Sequence, residues 1–237
     1  MKRSLFVSLV AVFASFNVVC DSLMGLPELT SGVWYSWIFM AEPITGIVLG
    51  PYAGFLSSLI GVMIGHSIYF RDIYEFLFTL GAPIGAMVSG FLFRRRWKAV
   101  LIYYTALLAM YFVTPIASQL PVWGMWDVYL AYVSLLVAAM MMVRKSSWKS
   151  ESRSLLYIIA ICVLVGLEAD VLFRIFVFIP GQTYRLFYGF DMEALRAMWV
   201  AAAAVTPIKV AISILVTTII GPPLINVIRK TSFSQFT

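Results

Sequence analysis

Of the 237 residues, 62% are hydrophobic and only 12% charged, with a net charge of +6 and a mean hydropathy of +0.95, far outside the range of soluble domains. So few charges cannot solvate the surface of a 26.6 kDa globule, whereas eight helices of about 20 residues would use roughly two-thirds of the chain. A water-soluble enzyme is excluded, and the expectation is an all-α, polytopic membrane helix bundle forming one transmembrane domain over residues 1–237.

The basic excess is a topology signal, because it is gathered between apolar runs. Lys2 and Arg3 open the chain, Arg94, Arg95, Arg96 and Lys98 share one short loop, Arg144, Lys145, Lys149 and Arg153 share another, and Arg229 and Lys230 lie near the end. Only Glu151 among the acidic residues falls in these places. Short Lys- and Arg-rich loops stay on the cytoplasmic side. Both termini are therefore expected inside a multi-pass protein of the cell membrane, and no nucleic-acid partner is implied.

In chain order, the apolar run 4–19 resembles a signal peptide ending at Cys20, but Val18 and Val19 are poor cleavage residues, so a retained first helix is expected. Residues 21–32, with Asp21, Pro27 and Glu28, form an outer loop. The apolar stretch 33–70 is too long for one span and is cut at Gly50-Pro51, giving helices at 34–49 and 51–70. Arg71, Asp72 and Glu75 mark an outer turn, after which a fourth helix runs inward to the 94–98 loop. Helices five and six, at 99–117 and 127–143, flank an outer turn at 118–126. The seventh spans 154–178. A longer outer segment at 180–196 precedes the eighth, at 197–228.

Small residues recur every four positions: Gly50, Gly54 and Ser58, then Gly81, Gly85 and Ser89. Such spacing lets helix backbones approach where lipid removes the hydrophobic drive for association. Ser8, Ala11 and Ser15 form a similar stripe on the first helix, and a stripe on a terminal helix equally suits a partner protein.

Ionisable residues inside spans are costly and call for a functional reading. Counting about 1.5 Å per residue from each outer helix end puts Glu42, Glu168 and Asp170 at similar depth, with Lys209 deeper and Arg174 shallower. They can line one outward-opening cavity, or pair internally: Asp170 and Arg174 are four apart on one helix face, and Lys209 is then the partner of Glu168 or Glu42. His66, the single histidine, has no companion ligands for a metal and reads as a local hydrogen-bonding group. Cys20 and Cys162 make no C-x-x-C or zinc spacing. No cofactor, metal site or catalytic motif is expected. Trp34, Trp37 and Tyr188 belong to an outer aromatic set that anchors the interface or stacks on a flat ligand.

The segment from Glu42-Pro43 through Gly46, Gly50-Pro51, Gly54 and Gly61, followed by Gly81, Pro83, Gly85 and Gly90 before a basic loop, resembles the substrate-binding S components of energy-coupling factor (ECF) transporters, as does Thr206-Pro207-Ile208-Lys209. The resemblance implies a membrane subunit that captures a small organic, vitamin-like micronutrient from outside and passes it inward with a transmembrane coupling subunit and two cytoplasmic ATPases. The candidate substrate site is made of Trp34, Trp37, Glu42, Glu168, Asp170 and Lys209, and the candidate partner face of Ser8, Ala11 and Ser15. Family members have six helices, which makes helices five and six an extra hairpin. Their Ala-x-x-x-Ala pattern on the first helix is matched here only by Ala11-x-x-x-Ser15. The competing readings are an independent secondary transporter built on Gly/Pro-interrupted helices and an intramembrane acid–base enzyme.

Overall fold

A computed structural model describes residues 3–25, 36–144 and 152–230. Among them the structure is helical, with no strand. The helices are α1 (Arg3–Ser22), α2 (Ile38–Leu49), α3 (Pro51–Ile68), the short α4 (Glu75–Thr79), α5 (Gly81–Phe93), α6 (Trp97–Val113), α7 (Trp126–Val143), α8 (Ser152–Phe178), the short α9 (Thr183–Leu186) and α10 (Met192–Lys230).

Five segments are long and apolar enough to cross a bilayer: Pro51–Ile68, Glu75–Phe93, Val122–Val143, Ser154–Phe178 and Met192–Val227. Phe6–Ser22, Ile38–Leu49 and Trp97–Val113 are shorter apolar helices. The outward faces are themselves apolar, with Ile64, Ile102, Val113, Leu215 and Ile219 exposed. Exposed hydrophobic surface on this scale requires an apolar surrounding, and the chain is a membrane-embedded protein.

Local chemistry sets the helix ends. Gly50 takes φ +90° between α2 and α3, a region open to glycine, and Pro51 follows at the first helical position, where its missing N–H costs nothing. A Cβ on Gly50 would collide with the Arg94 guanidinium, which is laid across it. Burial and the neighbouring Arg96 lower the proton affinity of Arg94 below its ordinary value. The fifth predicted helix, expected to reach 117, ends at Val113: Pro115 holds Thr114 extended and the chain continues as a 3-10 turn, Pro115–Gln119. The last helix starts at Met192 rather than 197, because Asp191 Oδ1 accepts the Ala194 N–H at 2.8 Å and caps the new end.

α2 lies at the centre, with all its residues but Met40 buried. It packs on α1, α3, α5, α8 and α10, while α6 and α7 pack together against one side of α8. Four prolines lie inside helices, Pro43 in α2 and Pro207, Pro222 and Pro223 in α10, and each leaves a carbonyl four residues back without its N–H. For Pro43 that carbonyl is Phe39, which accepts the Ser213 hydroxyl of α10 at 2.8 Å. For Pro207 it is Ala203, which accepts the Trp126 indole N–H of α7 at 3.0 Å. At Pro43 and Pro207, side chains of neighbouring helices thus restore what the proline removes, as lipid-embedded backbone requires. Tyrosines of α6 bond α8 similarly, Tyr104 to the Val165 carbonyl at 2.7 Å and Tyr103 to that of Ala169 at 2.8 Å.

The α5–α8 seam fixes the site's position. Gly85 faces Gly166, and a Cβ on either would lie 2.9 Å from the other's carbonyl oxygen. One turn along, the Ser89 hydroxyl donates to the Cys162 carbonyl at 3.0 Å, and at the other end Gly81 lies beneath Asp170. The pairing is antiparallel. The start of α5 and the end of α8 therefore meet at the end of the bundle opposite the basic turn at Arg94, Arg95 and Arg96.

Candidate functional site

At that end, α4, the last turns of α8, the α9–α10 connection and the first turns of α10 enclose a cavity of about 220 Å³. Its apolar wall carries Phe78, Phe178, Tyr188, Phe190 and Trp199. Phe178 meets Phe78 and Phe190 edge-on, at centroid distances of 5.9 and 6.2 Å, in the T-shaped geometry that aromatic quadrupoles favour. Trp199 is fixed by its indole N–H to the Pro121 carbonyl at 3.1 Å, with Gly124 leaving room for the ring. Beside the cavity, Tyr74 and Phe187 stack at 4.4 Å between the α3–α4 and α9–α10 connections.

The polar wall carries Glu75, Asp170, Arg174, Thr206 and Lys209. Arg174 Nε donates to Asp170 Oδ1 at 2.7 Å, and its NH1 donates to Glu75 Oε1 at 3.3 Å. One guanidinium therefore ties α4 to α8 and is answered by two carboxylates. Gly81 permits the arrangement, since a Cβ there would occupy the position of the Asp170 carboxylate. The Lys209 ammonium lies 5.6 Å from the Phe39 ring centroid, within cation–π range. Behind this wall is a second space of about 30 Å³, shared by Glu75, Asp170, Arg174 and Lys209 and closed by Asp21 and Arg71, whose own ion pair is 2.9 Å long. It has the size of roughly one or two waters.

Of the residues expected from the sequence to form the site, Asp170 and Lys209 stand on this wall. Glu42 and Glu168 are fully buried and are not among the residues lining either space. Glu42 directs Oε1 at Gly85, with Asp170, Arg174 and Lys209 in electrostatic range. Glu168 has Asp127, Lys209 and Asp170 in range. Among the described residues, no carboxylate oxygen of either has a hydrogen-bond partner. Asp127 accepts the Thr206 hydroxyl and its own neighbour's amide, that of Val128, at 2.9 Å. Trp37 donates its indole N–H to the Met24 carbonyl at 3.0 Å and so braces the α1–α2 connection; Trp34 lies outside the described residues. His66 Nε2 is 3.0 Å from the Asp72 carbonyl, so that nitrogen carries the proton. Ser8, Ala11 and Ser15 are all exposed along one face of α1.

Glu75, Phe78, Phe178, Phe190 and Thr206 were not singled out as site residues from the sequence. Glu75 reads there as part of an outer turn; its signal was a carboxylate just before an apolar helix, within reach of the membrane boundary. The three phenylalanines differ in no way from the apolar residues around them, and only the fold gathers them.

No protein family, curated protein or solved structure matches the chain.

Proposed function

We propose that the chain is the membrane-embedded substrate-binding subunit of an ECF-type, ATP-driven importer, taking up a small organic, vitamin-like solute from outside. The observation that carries this reading is the aromatic-walled cavity with a charged floor, at the bundle end opposite the basic turn at 94–96. With basic loops inside, that end faces outward, where a solute would enter. Eight spans with both termini cytoplasmic complete the topology, six forming the binding core and α6–α7 an added hairpin against α8. The exposed Ser8, Ala11 and Ser15 are the face offered to the coupling subunit, which would bring the two ATPases.

Two measurements test this. Mass spectrometry of the protein purified in detergent is expected to find a small organic molecule retained. Ala11→Trp, which sets a partner helix at a distance, is expected to abolish ATP-dependent uptake while leaving binding by the isolated subunit intact; unchanged copurification of the ATPases with that variant would contradict the interface.

One observation favours a second reading. Glu42 and Glu168, buried without hydrogen-bond partners, are the kind of intramembrane carboxylates that relay protons in secondary transporters. Uptake by vesicles containing this chain alone, driven by a pH gradient without ATP, would establish that reading in place of the first.

A further inference from the structure

Given the reading that the cavity binds a solute, its walls set what charge that solute can bring. The lining carries two carboxylates, Glu75 and Asp170, and two cations, Arg174 and Lys209, so its formal charges cancel. Glu42 and Glu168 line neither space and present nothing to a ligand. The wall charges are also spent on each other: Arg174 Nε holds Asp170 at 2.7 Å and its NH1 holds Glu75 at 3.3 Å, while Lys209 has Asp170 in range. A ligand with a net charge would find no counter-charge left over among the described residues of the lining, and a charge taken out of water without a partner is costly. A zwitterion would meet both signs only by pulling these pairs apart. The wall does offer donors. A guanidinium carries more N–H groups than the two bonds to Asp170 and Glu75 use, and the Arg174 side chain is 31% exposed where it lines the cavity. An uncharged acceptor, such as a carbonyl oxygen, can take a further N–H without disturbing either pair, and a hydrogen bond from an ionised donor is stronger than one between neutral groups. Around this polar point Phe78, Phe178, Tyr188, Phe190 and Trp199 supply ring faces and edges, which suit a flat apolar body. A volume of about 220 Å³ suits one ring and a short substituent, being below the roughly 300–1,000 Å³ of sites for drug-sized ligands.

We infer that the cavity selects an uncharged solute, a single ring bearing a hydrogen-bond acceptor such as a carboxamide, with the acceptor toward Arg174 and the ring among the aromatic side chains.

Benzamide, benzoate and benzamidinium, which share one shape and differ in charge, test the selection on the full chain in detergent, with L-phenylalanine added as a zwitterion. Thermal unfolding and titration calorimetry are expected to show stabilisation by benzamide, with affinity at least about tenfold above each of the other three. Ala202→Phe fills the space from α10 with an apolar side chain and alters no charge. It is expected to weaken benzamide at least about tenfold and to leave the unfolding temperature without ligand no lower. Arg174→Lys keeps the charge but loses the planar fork of donors; it is expected to weaken benzamide and to leave styrene, a flat ring without an acceptor, unchanged. Equal or tighter binding of benzoate, benzamidinium or phenylalanine overturns the charge selection, as does an absence of stabilisation by benzamide. Benzamide binding unchanged in Ala202→Phe removes the solute from this cavity, and equal losses of benzamide and styrene in Arg174→Lys overturn the acceptor contact. None of these results touches the importer reading, which stands or falls on whether a solute is retained and the ATPases copurify.

Discussion

The two sides of α8 are built on opposite terms. Toward α5 the helix presents Gly166 and Cys162 to Gly85 and Ser89, so that backbone meets backbone with no room for a side chain. Toward α10, one to three turns further along, it presents Val171, Arg174, Ile175 and Phe178 to a space that no side chain of the described residues fills. The seam sets the position of the wall: Gly81 belongs to the tight side, yet it is what allows Asp170 to sit where Arg174 can reach both it and Glu75. A cavity inside lipid needs one rigid flank, because the bilayer gives no hydrophobic drive to hold the helices around it.

The comparison breaks most sharply at Arg174. Arg174→Met leaves Asp170 and Glu75 facing each other without their cation; loss of one partner from a buried pair costs about 3–5 kcal/mol, and because the Arg174 side chain is 31% exposed to the cavity equilibrium unfolding in detergent is expected to show a loss at the lower end of that range. On the tight side, Gly85→Val places a branched side chain against the Gly166 carbonyl and the Glu42 carboxylate, and overpacking of this kind costs about 1–3 kcal/mol. Gly221→Ala is its control, because the nearest atom to an added Cβ there is 3.4 Å away; no loss of stability is expected. A seam that tolerates valine as readily as Gly221 tolerates alanine would remove the distinction between the two flanks.

The smallest effects are expected at the carboxylates behind the wall. Glu42→Gln and Glu168→Gln remove no hydrogen bond accepted by either side chain, so each is expected to change stability by less than about 1 kcal/mol. Combined with a measured loss of binding of the retained solute, that outcome gives these side chains a part in the site from behind its wall. A large loss of stability with binding intact would instead place them with the packing of the seam.

The apolar helices were legible because length and hydropathy are properties of a single segment: 51–70 and 154–178 were read close to Pro51–Ile68 and Ser152–Phe178. Errors fell where one residue's local chemistry decides an end, as at Pro115 and Asp191. The Asp170–Arg174 pair was legible from its spacing of four. Glu75 was not, because its partner is 99 residues away and no local pattern records such a distance. The aromatic wall was invisible for the same reason, Phe78 and Phe178 being a hundred residues apart and brought to one place only by the antiparallel seam. Depth arithmetic grouped Glu42 and Glu168 with Asp170, but depth says nothing about which way around a helix a side chain points.

The borrowed hydrogen bonds at Pro43 and Pro207 constrain how this sequence can change. Ser213 and Trp126 are needed only because Pro43 and Pro207 stand where they do, each supplying a donor that a different residue at the proline would have supplied from its own backbone. Replacement of either donor first strands a carbonyl inside the membrane, whereas replacement of the proline first makes the donor dispensable. Each pair therefore has a permitted order of loss, proline before donor, and homologues that lack Pro207 should be free to carry almost any apolar residue in place of Trp126.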